Sequence, residues 1–415
     1  MRINNAGDLR YCRWSTEFQP SNVGNIKTQY PLKYFRLDMM EVRRDLLDGD
    51  RPDACVECHN MEAHGKISGR ERQLLKTGIR LAEFEKTVQS SPYYNNFVHS
   101  QMSEGYSVTG VRDWHIDLGN FCNSGCVFCI PESSSRIASE FFKLKLIDKL
   151  PPRNWCDDPE LVERFLEDSL SQQGFQFLHF IGGETVITPA FETILQRIVD
   201  ANRQHDYAIG FTTNLTVWPQ KIINLIEQFD EVHLGMSIEC TNRVNDYARW
   251  PSQVDSVLDI LNSWRELGAN KNWIMTLRIT PTPITVAHFH TVYEYALEHN
   301  LNVESCNFLH NPRFMRVTVL PVDLRENLAK NLEAWIKKQN IEQGSQVLNI
   351  RNPNFRRRAV IQDAQSYIHY LRHGPDETQR LGELVTYLRQ IDNNRGISVL
   401  DYCPEYEELF RAAGY

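Results

Sequence analysis

The run Gly119-Asn-Phe-Cys-Asn-Ser-Gly-Cys-Val-Phe-Cys-Ile130 decides how this 415-residue chain is read. It sets Cys122, Cys126 and Cys129 in a C-x3-C-x2-C spacing, directly after the strand-like stretch Trp114–Leu118. Three thiolates fall one short of the four ligands of a closed structural metal site, whereas a reactive site keeps one position open. A cubane iron–sulfur cluster held by three cysteines likewise leaves one iron free to bind something else. An under-coordinated iron in a loop after a strand is a place for chemistry. The competing reading is a zinc site, or three unrelated buried thiols.

From this loop onward the chain alternates short apolar strands with longer helices. The pattern predicts strands at Trp114–Leu118, Phe175–Ile181, Tyr207–Thr213, Glu231–Ile238, Trp273–Thr280 and Val303–Phe308. Between them it predicts helices at Ser134–Leu146, Phe191–Asn202, Pro219–Gln228, Val254–Leu267 and Val286–Glu298. Repeats at this spacing imply an α/β fold with a parallel sheet and right-handed crossovers. Curled into a partial (βα)6 TIM-like barrel, such a sheet carries its chemistry at the carboxyl ends of the strands. Residues 1–105 are irregular in pattern, with a helical stretch near Glu71–Gln89 and a turn at Ser90-Ser-Pro-Tyr. The barrel takes residues 106–320. A helical C-terminal region fills 321–415, clearest at Asp323–Gln339 and Asn354–His373. Within it, Arg356-Arg357-Arg358 reads as a solvated helix face, or as a contact for an acidic substrate segment.

Motifs recur at the predicted strand ends. Gly182-Gly183-Glu184 offers two residues without side chains, which permit close backbone approach to a ligand, and then a carboxylate. Thr212-Thr213-Asn214 closes the third strand and Ser237-Ile238-Glu239 the fourth; Arg249 follows within Asn-Asp-Tyr-Ala-Arg-Trp. A guanidinium fork suits a carboxylate, and Arg278 on the fifth strand rivals Arg249 for that role. Taken singly, each of these polar groups also reads as an ordinary strand-end hydrogen-bonding residue.

The three-cysteine loop, with Phe128 before its last cysteine, resembles that of the radical S-adenosylmethionine (SAM) enzymes. The resemblance implies a [4Fe-4S] cluster on Cys122, Cys126 and Cys129 whose open iron chelates the amino and carboxylate groups of SAM. One-electron reduction, supplied by a donor such as a flavodoxin or ferredoxin, then splits SAM into methionine and a 5′-deoxyadenosyl radical that abstracts hydrogen from the substrate. It also implies that Gly182, Gly183 and Glu184 hold the methionine amino group. Asn214, Ser237, Glu239 and Arg249, or Arg278 in its place, would contact the methionine carboxylate and the ribose.

A second set of cysteines precedes the barrel. Gly7-Asp-Leu-Arg-Tyr-Cys12 reads G-x4-C, and Cys55-Val-Glu-Cys58 adds C-x2-C. The stretch from Cys55 to Arg72 is similar to the subfamily with an N-terminal twitch domain, which carries an auxiliary iron–sulfur cluster, here expected as [4Fe-4S]. That subfamily has a further cysteine before G-x4-C, whereas this chain starts six residues before Gly7. Cys403, twelve residues from the C-terminus, would supply the missing ligand if the termini meet. The alternatives are an open iron, a ligand such as His59 or His64, or a zinc knot. Cys156, Cys240 and Cys306 read as ordinary buried thiols.

Composition narrows the function classes. The net charge of −8 argues against a nucleic-acid footprint, which is basic and clustered. No stretch approaches eighteen apolar residues, and the first residues lack the apolar core of a signal peptide. A cytoplasmic protein is expected, and ten cysteines there point to metal rather than disulfides. SPASM and twitch relatives commonly modify peptides or proteins, and some oxidise carbohydrates. The expectation is therefore a peptide- or protein-like substrate. Small-molecule dehydrogenation is the alternative reaction, and a non-catalytic metal-binding scaffold the alternative class.

Overall fold

The protein is described by a computed structural model over residues 1–12, 23–52, 55–63, 68–76, 79–80, 83–91, 94–271, 273–304, 309, 311–339 and 353–415. The predicted strand segment 305–308, Cys306 and His64 lie outside the described residues. The fold is α/β. Among the described residues it has nine strands, mostly parallel and not closed into a barrel. The chain divides into two compact units. The first comprises Met1–Gly119, Pro152–Ile181 and Pro189–Ala208; the second comprises Asn120–Pro151, Gly182–Thr188 and Ile209–Tyr415.

In the first unit, β4 (Asp113–Asp117) runs parallel to β5 (Gln176–Ile181) in the register Trp114↔Leu178. The amino terminus, read as irregular from the sequence, adds three short strands: β1 (Arg2–Ile3), β2 (Asp8–Arg10) and β3 (Gly24–Asn25). β1 pairs parallel with β4 and antiparallel with β2, and β3 pairs antiparallel with β2. Strands of two or three residues show no alternation long enough to read, so only pairing reveals them. Gly7, with φ +89°, makes the turn into β2, and a Cβ there would lie 2.8 Å from Ile26. Ile3 and Leu9 are fully buried. The predicted helix near Glu71–Gln89 is two, Gly69–Lys76 and Phe84–Gln89.

Trp114 anchors the core of this unit. It is fully buried, packs edge-on against Phe165 at 5.2 Å between ring centroids, and donates through its indole nitrogen to Gln176 at 3.0 Å.

In the second unit, β7 (Glu231–Ser237), β8 (Ile274–Arg278) and β9 (Asn302–Glu304) pair in parallel, with Ser237↔Arg278 and Arg278↔Glu304 in register. β6 (Tyr207–Thr213) straddles the division in sequence. Helices Gln220–Ile226 and Val254–Asn270 follow β6 and β7 as the periodicity predicts. The helix expected from Val286 begins only at His290. Before it, the Thr282 and Thr285 hydroxyls bond each other and the local backbone, which offers the chain turns instead of a helix. The C-terminal helices Val322–Lys338, Pro353–His373 and Leu381–Arg395 are present. The arginine run is not simply solvated: Arg356 donates to the Asn300 carbonyl at 3.0 Å and Arg357 to Leu297 at 3.3 Å. These are the last, otherwise open carbonyls of the His290–His299 helix, where cations are favoured. Among the described residues, no helix is long and apolar enough to cross a membrane.

Replacing Trp114 by alanine should lower stability by about 3–5 kcal/mol, as for other large buried aromatics. Urea unfolding of the metal-free protein measures this, and a loss under about 1 kcal/mol would show that the first unit does not depend on that contact.

Candidate functional site

Cys122, Cys126 and Cys129 all lie in the second unit, in a loop without regular structure between β4 and the Ser135–Lys143 helix. Its shape is set by backbone bonds and one cap. Ser134 accepts from the Ile137 amide to start the helix and donates to the Ser124 carbonyl at 2.9 Å. The Cys122 sulfur accepts from the Ser124 amide at 3.4 Å, and Cys129 N bonds Cys126 O at 3.0 Å. Gly125 N and Val127 N, flanking Cys126, donate to the carbonyls of Trp250 at 2.7 Å and Ala248 at 3.0 Å.

The three thiols act on one another. Burial raises the Cys122 thiol to about 11, with Cys126 the next contributor; burial likewise raises Cys129, with Cys126 and Cys122 contributing. The free thiols are thus held protonated, and metal binding would release their protons. Among the described residues no three His, Cys, Asp or Glu side chains converge closely enough for one metal ion. Tetrahedral ligands on zinc–sulfur bonds of about 2.3 Å would sit about 3.8 Å apart. A cubane instead takes each thiolate on a separate iron, as three thiols in one loop allow.

The Gly-Gly-Glu turn packs directly on this loop. Glu184 N donates to the Phe121 carbonyl at 2.8 Å. Gly183 has φ +46°, and a Cβ there would sit 2.1 Å from that same oxygen, so the approach requires glycine. The Glu184 carboxylate is 1% exposed. Its Oε2 accepts from Asn214 N at 2.6 Å, while Oε1 is buried without a partner. Burial raises the group to about 7. Asn214 completes the link: its side-chain nitrogen donates to Asn123 Oδ1 and Ser124 Oγ, each at 2.8 Å. One asparagine thereby joins the end of β6 to the cysteine loop and to the glutamate.

Glu239 and Arg249 bind each other. Glu239 is fully buried. Its Oε1 takes Arg249 Nε at 3.0 Å and Nη2 at 2.6 Å, and its Oε2 takes Thr280 N at 2.6 Å. Both oxygens are engaged, so the carboxylate orients the arginine rather than reaching outward. Arg249 Nη1 lies 3.9 Å from Cys126 Sγ, and the guanidinium stands over Phe128 at 5.6 Å. Arg278, its rival, pairs with Glu304 at 2.6 Å. Ser237, half-buried, ends β7 beside it in register.

The first unit gathers the other motif. Burial raises the Cys55 thiol to about 11, with Cys12 and Cys58 the next contributors, so residues 43 positions apart in sequence are brought together. Cys58 lies inside the Val56–Ala63 helix one turn from Cys55. Arg70 braces this helix through Glu62, at 3.2 and 2.5 Å, and Glu62 also accepts from Ser68 at 2.5 Å. His59 Nδ1 lies 3.5 Å from Arg70, and its Nε2 is buried without a partner. Cys403 lies in the second unit, fully buried in an apolar cluster with Cys240, Val399 and Tyr406, its thiol directed at the Ile284 carbonyl at 3.6 Å. Cys156 is buried and bonds the Leu118 carbonyl at 2.9 Å. All described cysteines are free thiols.

Sequence reasoning missed the supports of the loop. Asn123, Ser124, Ser134 and Trp250 carry no motif signal, although Ser134 stands where an N-cap is expected.

Residues 116–296 match the family model described as Radical SAM superfamily. The match to that domain model spans less than half of the chain, and it supports an enzyme with its reaction unspecified. Such a domain implies an iron–sulfur cluster and SAM. No curated protein sequence matches the chain. Similar solved structures include native anSMEcpe with bound AdoMet, at 16% identity and TM-score 0.39, covering 55% of this chain and 61% of that one. Streptococcus suis SuiB bound to S-adenosylmethionine is similar at 11% identity and TM-score 0.37, covering 72% and 63%. SuiB bound to precursor peptide SuiA is similar at 13% and 0.38, covering 69% and 60%. The chain thus spans about six tenths of the length of each.

The residues present fit the implied groups: three neighbouring thiols in one loop, a glycine cradle that a side chain would fill, and a buried carboxylate oxygen without a donor.

Glu184 also sets a pH dependence. Its value in the folded protein, about 7, lies above the ordinary 4.5, so the native state holds the proton between those pH values. Stability contributed by this group therefore falls as pH rises from about 4.5 to 7, then levels off. Glu184→Gln should make the cofactor-free protein more stable than the parent at pH 8, by as much as about 3 kcal/mol, with no gain at pH 4.5. Equal effects at both pH values in urea unfolding would refute the assignment.

Proposed function

We propose that this protein is a radical SAM enzyme that abstracts hydrogen from a peptide- or protein-like substrate and carries an auxiliary iron–sulfur cluster in residues 1–105. The observation that carries the reading is the buried Glu184 carboxylate, whose Gly-Gly-Glu turn packs on the three-thiol loop at a close approach that only glycine allows. A buried carboxylate with an open oxygen is unstable unless a donor, best a cationic one, completes it. The ammonium of a SAM molecule is such a donor.

When bound, the cluster supplies the electron that cleaves SAM reductively. The chain's own residues do the rest. Cys122, Cys126 and Cys129 hold the iron. Gly182 and Gly183 let the ligand lie against backbone, and Glu184 accepts from its amino group. Asn214 fixes the glutamate and the loop to each other. Glu239 holds Arg249 so that its remaining nitrogen faces the Cys126 sulfur. Phe128 covers the guanidinium face and shields the site from water. Ser237 and Arg278, adjacent in register on β7 and β8, are the groups left to meet the ribose and carboxylate.

In the first unit, Cys12, Cys55 and Cys58 form the auxiliary ligand set, with Arg70 and Glu62 bracing the helix that carries two of them. The peptide-like substrate rests on the resemblance of the Cys55–Arg72 stretch to the twitch subfamily.

Anaerobically reconstituted protein should bind about eight irons per chain, as two four-iron clusters require. Reduction with dithionite in the presence of SAM should release 5′-deoxyadenosine. Cys126→Ala should abolish that release and halve the iron, and full iron retention in this variant would overturn the site. Asn214→Ala should lower SAM affinity about tenfold, since the loop loses the two side-chain hydrogen bonds to Asn123 and Ser124, at about 1–3 kcal/mol, while the backbone amide still holds Glu184; equilibrium dialysis with SAM measures it.

A further inference from the structure

The Leu381–Arg395 helix lies outside the segment that matches the family, yet its last turn reaches the cysteine loop. Arg395 Nη2 donates to the Gly125 carbonyl at 2.8 Å, immediately before Cys126. Its Nε and Nη2 also grip the two oxygens of Glu140, at 2.9 and 2.6 Å, on the helix that follows the loop. The Arg395 side chain is 0% exposed and that of Glu140 7%. The guanidinium stacks on Trp250 at 4.6 Å, the residue whose carbonyl accepts from Gly125 N. Two turns earlier on the same helix, Tyr387 donates to the Val127 carbonyl at 2.8 Å. The backbone on both sides of Cys126 is therefore tethered by one C-terminal helix.

The ion pair with Glu140 does not use every donor. Arg395 Nη1 is buried without a hydrogen-bond partner. A guanidinium is always charged, so this nitrogen carries positive charge into a low-dielectric region where Coulomb effects are strong. Arg249 Nη1 likewise stands 3.9 Å from the Cys126 sulfur. Cys126 thus lies in the field of two buried cations, one from the family segment and one from the C-terminal region.

We propose that Arg395 is a positioning residue of the SAM site, which clamps the Gly125–Val127 backbone and sets a fixed positive charge beside Cys126 that favours the reduced state of whatever the three thiolates hold. It rests on the reading that Cys122, Cys126 and Cys129 hold an iron–sulfur cluster. Positive charge and hydrogen bonding around the ligand sulfurs are recognised determinants of such potentials. Glu140 keeps the guanidinium in place through Nε and through Nη2, the nitrogen that also meets the Gly125 carbonyl.

The test uses the full chain, reconstituted anaerobically, with reductive titration against dithionite followed by electron paramagnetic resonance and with iron analysis. Arg395→Gln should shift the reduced-to-oxidised ratio at a given potential about tenfold toward oxidised, equal to about 59 mV for one electron. Arg395→Lys, which keeps the charge, should restore the parent ratio to within about threefold. The double variant Arg395→Gln with Glu140→Gln leaves no unpaired carboxylate and guards against simple misfolding; it should shift in the same direction. A double variant with full iron and an unchanged ratio would overturn the proposal, as would a lysine variant shifted as far as the glutamine one. Failure of the underlying reading looks different: Cys126→Ala would then keep all its iron, and the parent would give no reducible signal from that loop.

Discussion

Burying charge next to the cysteine loop is the constraint around which the second unit is arranged. Three ionisable thiols, three carboxylates and two guanidinium groups occupy a space from which water is largely excluded. Isolated, each would cost several kcal/mol to bury. The structure meets this by giving nearly every charged atom a fixed partner: Glu239 has Arg249 and a backbone amide, and Glu140 has Arg395. The exceptions are Glu184 Oε1, in the Gly-Gly-Glu turn, and Arg395 Nη1.

Orphaned buried polar atoms are rare enough that each calls for an explanation. Glu184 Oε1 is one such atom, and it follows directly on a glycine cradle. The surrounding polar residues are held by secondary bonds, and this rigidity is what a site needs to present groups at fixed positions.

The first unit applies similar means to a different local structure. A left-handed glycine turn sets Cys12 just beyond β2, and a helix presents Cys55 and Cys58 on one face. The Arg70–Glu62–Ser68 bonds stiffen the helix. Cysteines from a strand end and from the start of a helix thereby lie in one unit, without a disulfide among the described cysteines.

The sequence by itself determined the strand–helix alternation, the α/β class and the cysteine spacing, because periodicity and loop motifs are local and leave a direct trace in residue order. Tyr207–Thr213 was legible to the residue, and most other boundaries to within a few positions. Gly183 and Glu184 were legible as a turn, and Cys12, Cys55 and Cys58 as a pattern. Three matters belonged to tertiary structure alone. Strands β1–β3 exist only through pairing, Glu239 turns inward because Arg249 and Thr280 claim its oxygens, and Arg395 reaches Gly125 from 270 residues away. No local signal announces such partners. A buried charge is positioned by whatever opposite charge the fold brings near, and that proximity is a property of the packed chain, not of its order.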